Sequence, residues 1–526
     1  MNKNWKSMLC LVLSAACVTP AVTSAVFAQE FEETSPYETE FETETTVTTD
    51  ESKEDSTDIA RTYDWEKEPG TIYEAKLYLE ELNDMAETEL PEEEKAAVEA
   101  AIKSMETYLS DRETEVMYRV YNPNSSEHFY TANPEERQML IDLGWDDEGI
   151  AWLAPKNKGA DVYRLYNPNG EHHFTLNAAE RDGLVKMGWD YEGVGWKSAD
   201  PEDKNNIFNV FREYNPNEYK CNHNYTTSAR EHRMLTKAIG WDDEGIGWYA
   251  ISPVSRIQQE DGSWKIYNNE TMEQLTGEQE IGGEMLFLDP ANEGKAFTGI
   301  RKKDGKTYIY DDKGNQMFGL VDYDNSTYML DLDKGFAITG QQLLDEKTDE
   351  PRYVCFDEDG KMIKGRTVNG VRYAEDGTKL DLTPDESLML KSIAIYNKAG
   401  RDLHAVYNWT YQNISYTRFN PEWQTPPEGW THEQNFANIG LTDRRGNAYT
   451  FAATFARLAQ NLGYNAQFVK GEILLTTGWS EHGWVKINLD GKDYLFDPTF
   501  ERSLKGDGNL CWKQDADHPK YQYRTN

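Results

Sequence analysis

One segment occurs three times in succession, and this repetition constrains the fold more than any other feature of the chain. "YRVYNPNSSEHFYTANPEERQMLIDLGWDDEGIAW" (118–152) returns as "YRLYNPNGEHHFTLNAAERDGLVKMGWDYEGVGW" (163–196) and as "FREYNPNEYKCNHNYTTSAREHRMLTKAIGWDDEGIGW" (211–248). A unit this short cannot bury its own apolar face, so the copies must share a core. Each copy reads as a strand, a Tyr-Asn-Pro-Asn turn, an aromatic strand, a short Glu-Arg helix, Gly-Trp, and a second strand, with turn chemistry at Asn-Pro and Gly. The Gly-Trp residues Trp145, Trp189 and Trp241 are expected in the shared core. His128, His173 and His223 read as equivalent positions beside an aromatic, and His172 and His232 also fall within the repeats. No acidic or cysteine ligand recurs with them at zinc spacing, so they are expected to serve the core and not a metal.

The pattern YNPN…HFYT…GW…EG resembles the repeat domains of secreted bacterial proteins. That resemblance implies an all-β, three-repeat β-trefoil over residues 116–253, with cell-envelope glycan as the suggested ligand class.

A shorter beat follows over 254–381. Gly277, Gly299, Gly319, Gly340 and Gly365 punctuate tyrosine strands and acidic turns such as "YIYDDKG", "YVCFDEDG" and "RYAEDG". Alternating strands joined by Asp-Gly-type turns spell hairpins, and single hairpins need stacking to persist. The segment resembles the cell-wall or glucan-binding repeats of Gram-positive surface proteins, which implies a β-hairpin solenoid. Paired tryptophans that would cage choline are missing, Trp264 standing alone, so a spacer role is as open as a binding array.

Around these modules the composition narrows the choices. Residues 1–28 place Lys3 and Lys6 before an apolar run and end on Val26-Phe27-Ala28, the pattern of a secretory signal peptide. Residues 29–60 hold 12 acidic residues against Lys53 alone and read as a disordered acidic linker. Residues 61–115 carry two helical runs, with Pro91 and three glutamates opening the second, and are expected as a helical hairpin. Once Cys10 and Cys17 leave with the signal, Cys221, Cys355 and Cys511 remain, too scattered for a disulfide scaffold. A net charge of −39 argues against nucleic acid or an anionic membrane as partner, and no later apolar run is long enough to span one.

The chemistry, if any, lies in 382–526. "YNWTYQNISY" precedes "RRGNAYTFAATFARLAQNLGYNAQ", a loop feeding a long helix, and then "EHGWVKINLDGKDYLFDPTF", two strands around Asp490-Gly491. The set resembles a transglutaminase-like domain of the papain-like α+β class. In that family a Cys at the helix start attacks, a His activates it and an Asp orients the His. The resemblance maps these roles onto His482 and Asp497, while the nucleophile position is Ala448, whose methyl group has no lone pair. Three readings stay open: a natural pseudoenzyme, an active cysteine transglutaminase or protease whose nucleophile has moved to Cys511, and an engineered inactivation. The expectation is therefore a secreted, multidomain protein, extracellular or non-covalently wall-associated. It would bind wall glycan or surface polysaccharide, with a peptide or protein possible at the degenerate cleft, and would use no cofactor or metal.

Overall fold

The computed structural model describes residues 68–525 apart from 169, 217–221, 349 and 419–424. The signal and acidic-linker readings, and Cys221, fall outside the described residues. The protein is multidomain and mostly β, built of small sheets with a few helices. It divides into two compact units, one running to Gly319 and including Leu330–Phe336, the other holding Leu320–Met329 and Ala337 onward.

The first unit opens with the helical hairpin, α1 (Ile72–Ala86) and α2 (Glu92–Ser110). Thr71 caps α1 by accepting from Glu74 N, and Glu92, Glu93 and Glu94 sit in the first turn of α2, where negative charge suits the helix dipole. Ala75, Tyr78 and Leu82 pack against Val98 and Met105.

The three repeats follow, each contributing three antiparallel strands; those of the first and third copies join at Leu153–Ile251 into one six-stranded sheet, and those of the second form a three-stranded sheet. In the first, β1 (Thr114–Asn122) lies between β2 (Glu127–Thr131) and β3 (Asp146–Pro155), with α3 (Pro134–Asp142) between β2 and β3. The second repeats this with β4 (Ala160–Asn167), β5 (Glu171–Thr175), α4 (Ala178–Lys186) and β6 (Asp190–Ser198). The third uses β7 (Ile207–Tyr214), β8 (His223–Thr226), α5 (Ala229–Arg233) and β9 (Asp242–Ile251).

Two aromatic triangles form the shared core. Trp152, Trp196 and Trp248 stand with ring centroids 5.4–5.7 Å apart, and Tyr130, Phe174 and Tyr225 with centroids 5.8–5.9 Å apart. These are the second tryptophans of each copy, not the Gly-Trp residues expected there. Trp145, Trp189 and Trp241 are only half-buried. The reason is local: Gly144 takes a φ of 92°, Gly144 N donates to Ile141 O and Trp145 N donates to Leu140 O, a Schellman stop in which the tryptophan packs on the helix end.

A ring of ion pairs closes the three copies. Arg164 of the second copy reaches Glu136 of the first, Arg212 of the third reaches Glu180 of the second, and Arg119 of the first reaches Glu231 of the third, each at 3.0 Å. Each arginine also holds a glutamate of its own copy through Nε: Glu148, Glu192 and Glu244 at 2.6–2.7 Å. Strand register also corrects the histidine equivalence. Tyr121 faces His128, Tyr166 faces His172 and Tyr214 faces His223, so His172, not His173, is the third member.

Hairpins then succeed one another. Val254–Gln258 pairs with Trp264–Asn268, Gly277–Ile281 with Glu284–Asp289, and Gly299–Lys303 with Lys306–Tyr310. In the second unit Gly340–Leu344 pairs with Arg352–Phe356, and Thr367–Val368 with Val371–Arg372. Gly277, Gly299 and Gly340 enter their strands at φ of 77–94°, a conformation other residues rarely take, which sets the glycine beat seen in the sequence. No large core forms here; small clusters such as Val254, Ile266, Ile281, Leu286 and Leu288 do the packing.

The C-terminal domain is α+β. Four helices, α6 (Pro384–Ala399), α7 (Leu403–Asn413), α8 (His432–Thr442) and α9 (Ala448–Asn461), pack with a five-stranded antiparallel sheet. Its central strands are β10 (Ala466–Leu475), β11 (Gly478–Leu489) and β12 (Lys492–Phe496), flanked by β13 (Gln514–Asp515) and β14 (Tyr523–Thr525). Capping boxes at Thr383–Glu386 and Thr431–Gln434 fix the starts of α6 and α8. Helix α9 is the hub, with Phe451, Ala452, Ala453, Phe455, Ala456, Leu458 and Ala459 all fully buried.

Candidate functional site: a helix start and a His–Asp dyad

The start of α9 is fixed by short-range chemistry. Asn447 caps it, its side-chain oxygen accepting from Tyr449 N (3.1 Å) and Thr450 N (3.3 Å). Gly446 precedes it because a methyl there would lie 2.3 Å from Thr450 side-chain atoms. Arg445–Gly446 pairs in parallel with Ser415–Tyr416, which ties the "NISY" segment to the helix start. Ala448 is then the first helical residue, buried at 7% exposure. A thiol at this position would sit where the helix dipole favours its anion.

The strand β11 runs against this point. A methyl at Gly483 would lie 2.9 Å from Tyr449 Cδ1 and 3.2 Å from the Ala448 carbonyl oxygen, so only glycine allows the approach. The preceding residue is His482. Its Nε2 lies 2.7 Å from Asp497 Oδ2, and both residues are buried. The structure thus brings together all three positions named from the sequence: Ala448, His482 and Asp497.

Asp497 is saturated with donors. Besides His482, Oδ2 accepts from the Tyr523 hydroxyl (3.0 Å), and Oδ1 accepts from Phe500 N (2.9 Å), capping α10 (Pro498–Ser503). Burial first, and then the Asp497 charge, push the Tyr523 phenol well above its ordinary range, so it stays a donor. With Asp497 engaging Nε2, the other ring nitrogen, Nδ1, is the one left for a reacting group. Tyr523 comes from the last strand and carries no recognisable motif, so sequence reading missed it.

A second buried carboxylate supports the dyad from behind. Glu501 accepts from Gly508 N (2.9 Å), Leu510 N (3.2 Å), Cys511 N (2.6 Å) and the Tyr407 hydroxyl (3.1 Å). Cys511 in turn offers its carbonyl to Asp497 N at 3.1 Å. Its thiol is fully buried, and burial, then the Asp497 and Glu501 charges, push its pKa far above the ordinary thiol range. A nucleophilic thiolate needs the opposite environment. The buried Cys511 thiol thus sits where the thiolate is disfavoured.

Among the described residues no group of three or more His, Cys, Asp or Glu is arranged to hold a metal ion. The repeat histidines instead meet one or two carboxylates each, as His128 with Glu148 at 2.8 Å and His172 with Glu127 at 2.7 Å and Glu192 at 3.5 Å. No helix among the described residues is long and apolar enough to cross a membrane.

Residues 116–251 match a family described as a domain of unknown function (DUF5648). No curated protein matches the chain. Among solved structures, the chain is similar to choline binding protein F from Streptococcus pneumoniae at 18% identity, over 27% of this chain and 51% of that one, with a TM-score of 0.16. It is also similar to the multimodular pneumococcal cell-wall endolysin from phage Cp-1 (18%, 22% and 39%, TM-score 0.17). A third is a candidate cysteine protease from Cytophaga hutchinsonii (20%, 23% and 40%, TM-score 0.18). The chain thus spans about half or less of these proteins' lengths. Residues 392–498 match the transglutaminase-like superfamily, and the C-terminal part of the chain is a transglutaminase-like domain.

Proposed function

We propose that this is a cell-envelope protein that holds wall polymer through its repeats and presents a transglutaminase-like domain from which the nucleophile has been lost. The observation that carries the second half is Ala448, which stands at the start of α9 beside β11, the strand that carries His482 of the His482–Asp497 pair. Acyl transfer through a thioester cannot begin at a methyl group. On this reading residues 1–28 direct export, 29–60 form an acidic spacer, 116–253 form a closed trefoil-type module and 254–381 a hairpin stack. The mature protein is extracellular or bound non-covalently to the wall.

The hairpins favour a hydroxyl-rich polymer over choline. Arg301 covers the ring of Phe287 at 3.6 Å, Lys306 that of Phe336 at 3.8 Å, and Arg233 that of Phe318 at 3.5 Å. Quaternary ammonium recognition needs such faces free. A cleft of about 300 Å³ nearby is lined by Tyr308, Tyr310 and Gln316 with the paired charges of Arg301 and Glu278, partners suited to sugar hydroxyls. Purified protein is expected to co-sediment with insoluble wall polysaccharide, unaffected by millimolar choline and weakened by Tyr308→Ala. Failure to co-sediment, or release by choline, ends this half of the reading.

The domain itself is tested by Ala448→Cys. The unaltered chain should show no iodoacetamide labelling at this site, whereas the variant should label with an apparent pKa below the free-thiol value of about 8.5. Adding His482→Ala should slow labelling about tenfold or more. Slow labelling of Ala448→Cys, no faster than a free thiol and indifferent to His482, would refute the degenerate-site assignment.

A further inference from the structure

The third repeat departs from the first two at three positions that touch one another. Where the first two copies bury Val120 and Leu165, the third buries Glu213, completely. Its cross-strand partner is Asn224, in place of Phe129 and His173. Arg137 and Arg181, which cover Tyr118 (4.6 Å) and Tyr163 (4.3 Å), give way to His232, which stacks on Phe211 at 4.3 Å. The three newcomers bond together: His232 Nδ1 lies 2.8 Å from Glu213 Oε1, and Asn224 Nδ2 donates to Glu213 Oε2 at 3.2 Å.

The helix above them is also different. The helices of the first two copies are regular, but α5 passes after Arg233 into a π-helical turn, Met234–Ile239. Such turns gather at functional positions. The outer side of α5 grips the hairpins: Arg230 pairs with Asp333 (2.6 Å), Arg233 with Glu284 (3.1 Å), and Ala229 N donates to Gly282 O (2.9 Å). One short helix thus faces a buried acid on one side and the hairpin array on the other.

We propose that Glu213 and His232 form a proton-operated latch beneath this helix. With Glu213 neutral, residues 229–239 are seated and hold the hairpins. With Glu213 ionised, the segment opens and its grip at Gly282, Glu284 and Asp333 loosens. The groups facing the pair come from every neighbouring element. Glu231 and His232 lie on α5, Asn224 on β8, and Asp243 on β9, 3.5 Å from His232 Nε2. Glu231 is itself neutralised by Arg119 from β1. Burial is the main force that pushes Glu213 up to about 7, with Glu231 adding to it and His232 and Asn224 opposing. A raised acid pKa means that its stabilisation is complete below the ordinary value of 4.5 and is lost as pH rises through about 7. The latch is therefore shut in acid and released towards alkaline pH.

Hydrogen–deuterium exchange of the full chain at pH 5.5 and 8.5, normalised to intrinsic rates, tests this directly. Residues 229–239 should open about tenfold more often at the higher pH, a change that corresponds to one pKa unit, while α3 stays unchanged. Glu213→Val, which restores the residue type of the first copy, should remove the pH dependence. Glu213→Gln, which keeps the shape without the charge, should do the same if the valine variant folds poorly. The proposal is overturned if wild type and the glutamine variant share one pH profile, or if α3 and 229–239 change together.

Discussion

Trp248→Ala is expected to destabilise the three-repeat module by about 3–5 kcal/mol, whereas Trp241→Ala should cost roughly 1 kcal/mol. Trp248 is 1% exposed and touches both other tryptophans of its triangle and Tyr225, at centroid distances of 4.7–5.7 Å. Truncating it opens a void bounded by aromatic rings held in place by two other copies, so the site cannot collapse to fill it. Trp241 only covers a helix end. Trp248→Phe should recover most of the loss, because it keeps the ring and removes an indole N–H that has no acceptor. Urea denaturation followed by far-ultraviolet circular dichroism measures the difference. Equal losses for Trp241→Ala and Trp248→Ala would refute the placement of the core on the second tryptophan.

The other large effect should come from Glu501→Ala, about 3–5 kcal/mol in the C-terminal domain. Its carboxylate is fully buried and satisfies three backbone N–H groups and the Tyr407 hydroxyl. Alanine leaves the three backbone N–H donors without this acceptor, while the Tyr407 hydroxyl keeps the Asp497 carbonyl at 3.2 Å. Glu501→Gln should fall between, since one carboxylate oxygen becomes a donor facing donors. Because the 508–511 loop also receives Asp497 N, labelling of the Ala448→Cys protein should weaken when Glu501→Ala is added. A Glu501→Ala protein with unchanged melting would show that the loop is held by other contacts.

Much of the dyad was legible because its residues sit in dense local motifs. His482 is followed by the glycine that the approach of α9 requires, and Asp497 both ends a strand and caps the next helix, so "HGWV" and "FDPT" carry geometry in their spelling. Tyr523 and Glu501 have no such local signature. They reach the site through tertiary closure, one on an edge strand and one from the short helix α10 that follows Asp497. In the repeats, counting copies located strands and helices, but pattern alone could not tell which tryptophan of each copy faces the axis. The Gly-Trp residue is prominent because it terminates a helix, and termination and core burial leave similar marks in a string of letters. The adjacent His172 and His173 posed the same difficulty, since a shift of one residue reverses the face of a strand. Glu213 was equally hidden: it occupies a position whose counterparts are valine and leucine, and only the fold reveals what surrounds it.

The ring of Arg–Glu pairs gives the number three a chemical meaning. Each copy is a monomer with one donor end and one acceptor end, Arg164 meeting Glu136 as Arg212 meets Glu180 and Arg119 meets Glu231. A gene fragment encoding two copies would leave a guanidinium at one boundary and a carboxylate at the other, complementary but on opposite sides. Such head-to-tail ends join between molecules, closing into larger rings or growing into fibres according to the angle between copies. The third copy thus closes the ring, its Glu231 taking the guanidinium of the first copy and its Arg212 the carboxylate of the second, and deletion of one repeat should be read out first as a change in particle size.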